Sequence, residues 1–191
     1  MREDYYQAAI NFYKQNRPWA ELFHEAGRPV PDEFRALIEW MMGERLVGCV
    51  KRLDSNADLE EIIRGAKSII EEARSAGFSI RTEPVIRFLS ARLNARFERL
   101  LHGSDLGLVE NIEKVIHLAK DLKIALHDRI AQELFFIFAQ KTLREWIENY
   151  QGDASGQPRL RTIQAVLHLG AQLGFNMDRY EQQLKAKAEV R

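Results

Sequence analysis

The sequence is short of the residues that staple a chain. It holds one cysteine, Cys49, in 191 residues. That excludes an internal disulfide framework and a cysteine-rich zinc site. Neither sign of charge is in excess, with 28 Lys+Arg against 28 Asp+Glu. A general nucleic-acid binder needs a net basic face to displace counterions from phosphates, so that class is set aside. No apolar run approaches the roughly 20 residues of a membrane span. The N-terminus, MREDYYQAAI, lacks the basic-then-apolar pattern of a secretory signal. A soluble, cytoplasmic chain without nucleic-acid or membrane partners is the expectation. Catalytic signatures are missing too: there is no Gly-rich phosphate loop, no GxSxG elbow and no HExxH. No catalytic residue, metal or cofactor is therefore assigned, and the chain alone is not read as an enzyme.

Only 5 prolines and 11 glycines punctuate the chain, and most fall between apolar-periodic segments. The composition, 46% apolar and 29% charged, is that of a globular protein, and a single domain over 1–191 is expected. Leu59, Ile62, Ile63, Ala66, Ile69, Ile70 and Ala73 recur in steps of three and four, predicting a helix from about Asn56 to Gly77. Asn56 or Ser55 can cap its start, and Gly77 can supply the left-handed residue at its end. A second helix is predicted from about Thr82 to Leu101, striped by Ile86, Leu89, Leu93, Phe97 and Leu100, with Pro84 in its first turn. A third is predicted from about Asp105 to Leu122, with Val109, Ile112, Val115, Ile116 and Ala119 inward. A fourth, from about Asp128 to Tyr150, carries Leu134, Phe135, Ile137, Phe138 and Trp146. Its 134–138 run is apolar on more than one face, which predicts a central helix covered on several sides. Residues 151–158 have loop composition, and two further helices fit 159–173 and 177–188. Upstream, residues 3–15 and 18–27 read as two helices parted at Asn16–Pro18, followed by one from about 32 to 53. No strand is predicted.

The chain repeats itself. Ile112 to Leu126 aligns with Ile163 to Met177 at an offset of 51, with Ile, Val, His, Leu and Leu coinciding. A weaker copy lies 46 residues before the first, where Ile69, Ile70, Ala73, Gly77, Phe78 and Ile80 match Val115, Ile116, Ala119, Lys123, Ile124 and Leu126. A helix pair cannot bury both its stripes alone, so successive pairs stack. The expected fold is all-α: antiparallel helical-hairpin repeats at about 56–101, 105–150 and 158–188, preceded by N-terminal helices over 3–53, forming a multi-helix bundle or a short α-solenoid.

Few side chains suggest chemistry. His117 and His168 occupy equivalent repeat positions and are candidates to line one surface, although a solvent-edge helix histidine is the commoner case. Arg92, Arg96 and Arg99 follow helical spacing and could grip an anion or an acidic partner, or their stems could cover the neighbouring core stripe. Trp19, after Pro18, is the indole expected to be partly exposed and could stack on a sugar, whereas Trp40 and Trp146 lie by apolar stripes. The pairs Glu60–Glu61 and Glu71–Glu72 are sequence neighbours on helices and do not converge. Cys49 sits between Leu46 and Leu53 and reads as a buried thiol.

Two stretches carry a resemblance. Leu22 to Pro31, with its GluAlaGly and ProValPro, and Ile112 to Phe136, ending AlaGlnGluLeuPhePhe, resemble the helical C-terminal region of a branch of family 57 glycoside hydrolases, the α-amylase/α-mannosidase-like group. The similarity covers roughly 20–150. Glu133 stands where that group has an asparagine, and 127–130 lack its tryptophan. In those enzymes a separate N-terminal barrel carries the catalytic carboxylates. The resemblance therefore implies an accessory helical module that packs on a catalytic glycoside hydrolase barrel and borders a polysaccharide cleft. A scaffold of helical repeats that binds another protein is the alternative.

Overall fold

The ends of the helices are set by local chemistry. The computed structural model describes residues 2–55, 57–103, 106–150 and 157–189, and every regular element among them is helical. Helix α1 spans Arg2–Glu25, α2 Asp32–Lys51, α3 Leu59–Ser75, α4 Glu83–His102 and α5 Leu106–Asp121. Helix α6, Arg129–Phe138, runs through a π-helical turn, Ala139–Leu143, into α7, Arg144–Glu148. Helices α8, Gln157–Gln172, and α9, Asp178–Glu189, follow. The all-α class is thus observed, and neighbouring helices such as α1 and α2, α2 and α3, and α7 and α9 pack together.

Four sequence expectations need correction or placement. Residues 3–25 are not parted at Asn16–Pro18, because α1 continues through Pro18. A proline inside a helix forfeits one hydrogen bond and costs about 3 kcal/mol. Ala9 and Tyr13 before it and Ala20 after it are buried on one face, and that shared burial holds both halves in register. The cap of α3 is Asp58, whose side chain accepts from the Glu60 N–H at 3.4 Å, while Ser55 Oγ donates to the Arg52 carbonyl of the preceding 3-10 turn. Asn56, Asp105 and 151–156 lie outside the described residues, and Gln157 and Pro158 already belong to α8. Finally, α6 is not covered on several sides: Ile130, Phe136 and Ile137 are exposed.

The chain divides into two compact units, residues 1–88 with 120–124 and residues 89–119 with 125–191. In the first, Tyr13 and Phe34 both meet Phe78, at ring separations of 6.4 and 6.0 Å, over a floor of Ile38, Met41 and Met42. The Arg45–Glu72 ion pair at 2.9 Å ties α2 to α3, and Ser79 Oγ donates to Glu39 at 2.7 Å. In the second, Phe135 is the hub. It meets Phe97 edge-on at 6.1 Å and lies 5.2 Å from Phe175. Gly170 makes room for it, since a Cβ there would fall 2.7 Å from both Phe135 Cζ and Met177 Sδ.

Helices α1, α3, α5 and α8 all end on a left-handed residue: Gly27 (φ 63), Gly77 (φ 77), Lys123 (φ 54) and Gly174 (φ 87). The N–H of each bonds a carbonyl three residues back. After Gly27, Gly77 and Gly174 the next N–H reaches five back, to Phe23, Ala73 and Gly170. This doubled closure satisfies carbonyls that the helix leaves orphaned.

The π-helical turn has a packing reason. Phe135, Ala139, Leu143 and Ile147 are all buried and stand four apart. Four residues overshoot an α-helical turn by about 40°, so such a series drifts off one face. The Arg144 N–H reaches back five residues to the Ala139 carbonyl. That wider turn takes up part of the drift and keeps the series inward.

Candidate functional site

The arginine stripe stands on α4 next to its buried row of Leu89, Leu93 and Phe97. Arg96 is half-buried, and its Nη1 donates to the Asn111 carbonyl of α5 at 3.2 Å. It bridges two helices, and Arg92 and Arg99 are exposed. The carboxylate pairs are engaged by cations on separate sides: Glu61 meets Arg52 at 2.8 Å, Glu71 meets Arg74 at 3.1 Å, and Glu72 meets Arg45.

His117 on α5 and His168 on α8 are both exposed. His168 Nε2 lies 2.8 Å from Gln172 Nε2, so the ring must accept at that nitrogen for the amide to donate. It borders a cleft of about 410 Å³ between α8 and α9. Leu160, Leu167 and Leu184 form the apolar wall, with Glu181 and Lys185 at the mouth. Among the described residues, no three His, Cys, Asp or Glu side chains converge as metal ligands would.

Cys49 is half-buried rather than buried. Its Sγ lies 3.5 Å from the Ile62 carbonyl, and burial pushes the thiol above its ordinary pKa, against a small opposing pull from Arg52. It is thus a poor nucleophile at neutral pH. Tyr13 is more enclosed. Its hydroxyl has no hydrogen-bond partner, and burial first, then Glu72, raise its pKa.

What distinguishes the surface is apolar. Trp19 is exposed, but in the middle of α1 rather than near a helix start. Trp40 is packed against Tyr5 and Tyr6, and Trp146 against Phe138 with the Arg159 guanidinium 6.0 Å from its ring. On α6, Ile130 and Ile137 stand two turns apart on one face, Phe136 lies about 100° further round the helix past the exposed Arg129–Glu133 ion pair, and all three are exposed. Sequence periodicity did not single them out, because a continuous apolar run gives no phase. The usable signal was that Phe135 and Phe138 alone satisfy an inward stripe, which leaves Phe136 and Ile137 over.

Among the described residues, no helix is long and apolar enough to cross a membrane. Set against protein-family models, curated proteins and solved structures, the chain matches none.

Proposed function

We propose that this chain is a non-catalytic helical-repeat module that docks onto an apolar surface of another protein through the outward face of α6. The carrying observation is the exposure of Ile130, Phe136 and Ile137 on a helix whose opposite face is already filled by Phe135 and Phe138. Large apolar side chains grouped in solvent mark contact sites more often than chance. The four left-handed corners support a repeat of hairpins, α1–α2, α3–α4, α5 with α6–α7, and α8–α9, with the N-terminal pair as a fourth copy. Such arrays commonly serve as binding scaffolds.

The accessory-module reading is a specific case of this docking. Phe136 closes the AlaGlnGluLeuPhePhe segment that carries the resemblance to family 57 glycoside hydrolases, and it faces outward. A catalytic barrel is the partner this case names, with polysaccharide at the border of its cleft.

A photo-crosslinking residue at position 137, in the full chain inside its source cells, tests the proposal against the same residue at Glu98, an exposed position on α4. A discrete protein adduct at 137 and not at 98 is expected, and a polysaccharide-acting enzyme in that adduct selects the accessory reading. No adduct at 137, or the same adducts at both positions, overturns docking. Glycan hydrolysis by the purified chain overturns its non-catalytic character.

A further inference from the structure

Helix α1 carries a second apolar face beside the one buried in its unit. Its inward side is Ala9, Tyr13 and Ala20, with Tyr6, Ile10 and Phe23 partly covered. Its outward side holds Tyr5 (59% exposed), Phe12 (42%), Trp19 (63%) and Leu22 (54%). Ala8 and Gln15 are exposed as well. These six fall at 5, 8, 12, 15, 19 and 22, alternating steps of three and four. That is the spacing of a seam meant for one other helix, with aromatic rings at every first position and Ala8, Gln15 and Leu22 at every second. Two of the rings are braced from the side: Tyr5 lies 5.3 Å from Trp40 and Phe12 5.3 Å from Phe34.

We propose that this seam pairs with the same seam of a second copy of the chain, antiparallel. In an antiparallel pair, first positions of one helix face second positions of the other. Tyr5 then meets Leu22, Ala8 meets Trp19, and Phe12 meets Gln15, in six layers related by a two-fold axis. Every ring finds a non-aromatic side chain opposite, and no layer is left with a hole. A parallel pair would set Tyr5, Phe12 and Trp19 each against its own copy and leave gaps at Ala8. The sequence of α1 is therefore complementary to itself in one orientation, as a two-fold interface requires.

The area sets the strength. At 150–250 Å² per aromatic side chain, the exposed parts of the four large residues amount to about 400 Å² per copy. Over two copies, with Ala8 and Gln15 added and all of this surface covered, the interface reaches at most about 1,000 Å², the lower bound for a specific contact. The dimer is consequently weak and concentration-dependent.

Sedimentation velocity on the full chain, from about 1 to about 300 μM, spans the dissociation constants of weak, transient interfaces and reads the association. Ala8→Trp overfills the layer with Trp19, and Trp19→Ala empties it. Each is expected to weaken dimerisation about tenfold or more, and the double variant to return to within about threefold of the original, as size-swapped partners do. Both positions are exposed, and circular dichroism confirms that each variant folds. Residues on α6 are not involved, so substituting Ile137 leaves the dimer unchanged and separates this proposal from the docking proposed above. A chain that stays monomeric at the highest concentration overturns it, including one that instead captures a helix of a different protein. So does a dimer indifferent to both single variants, or a double variant that is not rescued.

Discussion

Helices α5 and α6 are both rich in apolar residues and dispose of them differently. On α5 no large apolar side chain is exposed: Leu108, Val109, Ile112, Val115, Ile116 and Leu118 are buried and Leu106 is half-buried. On α6, Phe135 and Phe138 are inside while their neighbours Phe136 and Ile137 are outside. Helix α1 follows α6, with Tyr13 buried and Phe12 exposed beside it. Apolar content therefore does two jobs here. One face builds the unit, and on α1 and α6 a second face remains for contacts beyond it.

The sharpest way to break this comparison is to truncate the two kinds of residue. Phe135→Ala removes the ring that meets Phe97 and Phe175, and thermal or denaturant unfolding should show a loss of about 3–5 kcal/mol. A much smaller loss would mean that the inward face of α6 is not the structural one. On α1, Tyr13→Phe removes a buried hydroxyl that lacks a partner, so stability at neutral pH should hold or rise by about 1 kcal/mol. Its pH dependence is the more telling measurement. The folded state holds the Tyr13 proton more tightly than the unfolded state, because burial raises the pKa. Above about pH 10 the unfolded chain binds fewer protons, and stability falls as pH rises. Tyr13→Phe should flatten that part of the alkaline decline, and an unchanged profile would contradict the burial of the hydroxyl.

Smaller effects refine the picture. Lys123 adopts the left-handed conformation that Gly27, Gly77 and Gly174 supply at the other three corners. Lys123→Gly should stabilise the protein by about 0.5–1 kcal/mol, the relief of backbone strain less the added freedom of the unfolded chain. A destabilisation would show that the Lys123 side chain has a role the corner does not explain. Phe136→Ser should change stability by no more than about 0.5 kcal/mol, because its ring is mostly in water. A large loss from this substitution would erase the distinction between the two faces of α6.

Legibility in the sequence followed the same divide. The inward stripes of α4 and α5 could be read because their period fixes a phase, and all five predicted positions of α5 are buried. On α4 the stripe began one residue late: Val85 is buried and Ile86 only half so. The corner at Gly27 was available as a glycine closing a helix before Pro29, yet its match to Gly77 and Gly174 emerges only from the backbone angles. Continuity through Pro18 could not be read, since it depends on burial of Ala9, Tyr13 and Ala20 against other segments. For the surface, Trp19 was foreseen as exposed. The bond from Arg96 to the Asn111 carbonyl depends on how α4 lies on α5, which no local pattern encodes.

The π-helical turn at Ala139–Leu143 carries a consequence for how such a chain can change length. Widening a single turn lets a rod accept one surplus residue without rotating everything downstream of it. Ile147 and Tyr150 therefore still point indoors downstream of the widened turn. A surplus residue at such a place is absorbed along the middle of a rod, where slack is cheap, and kept away from the bends.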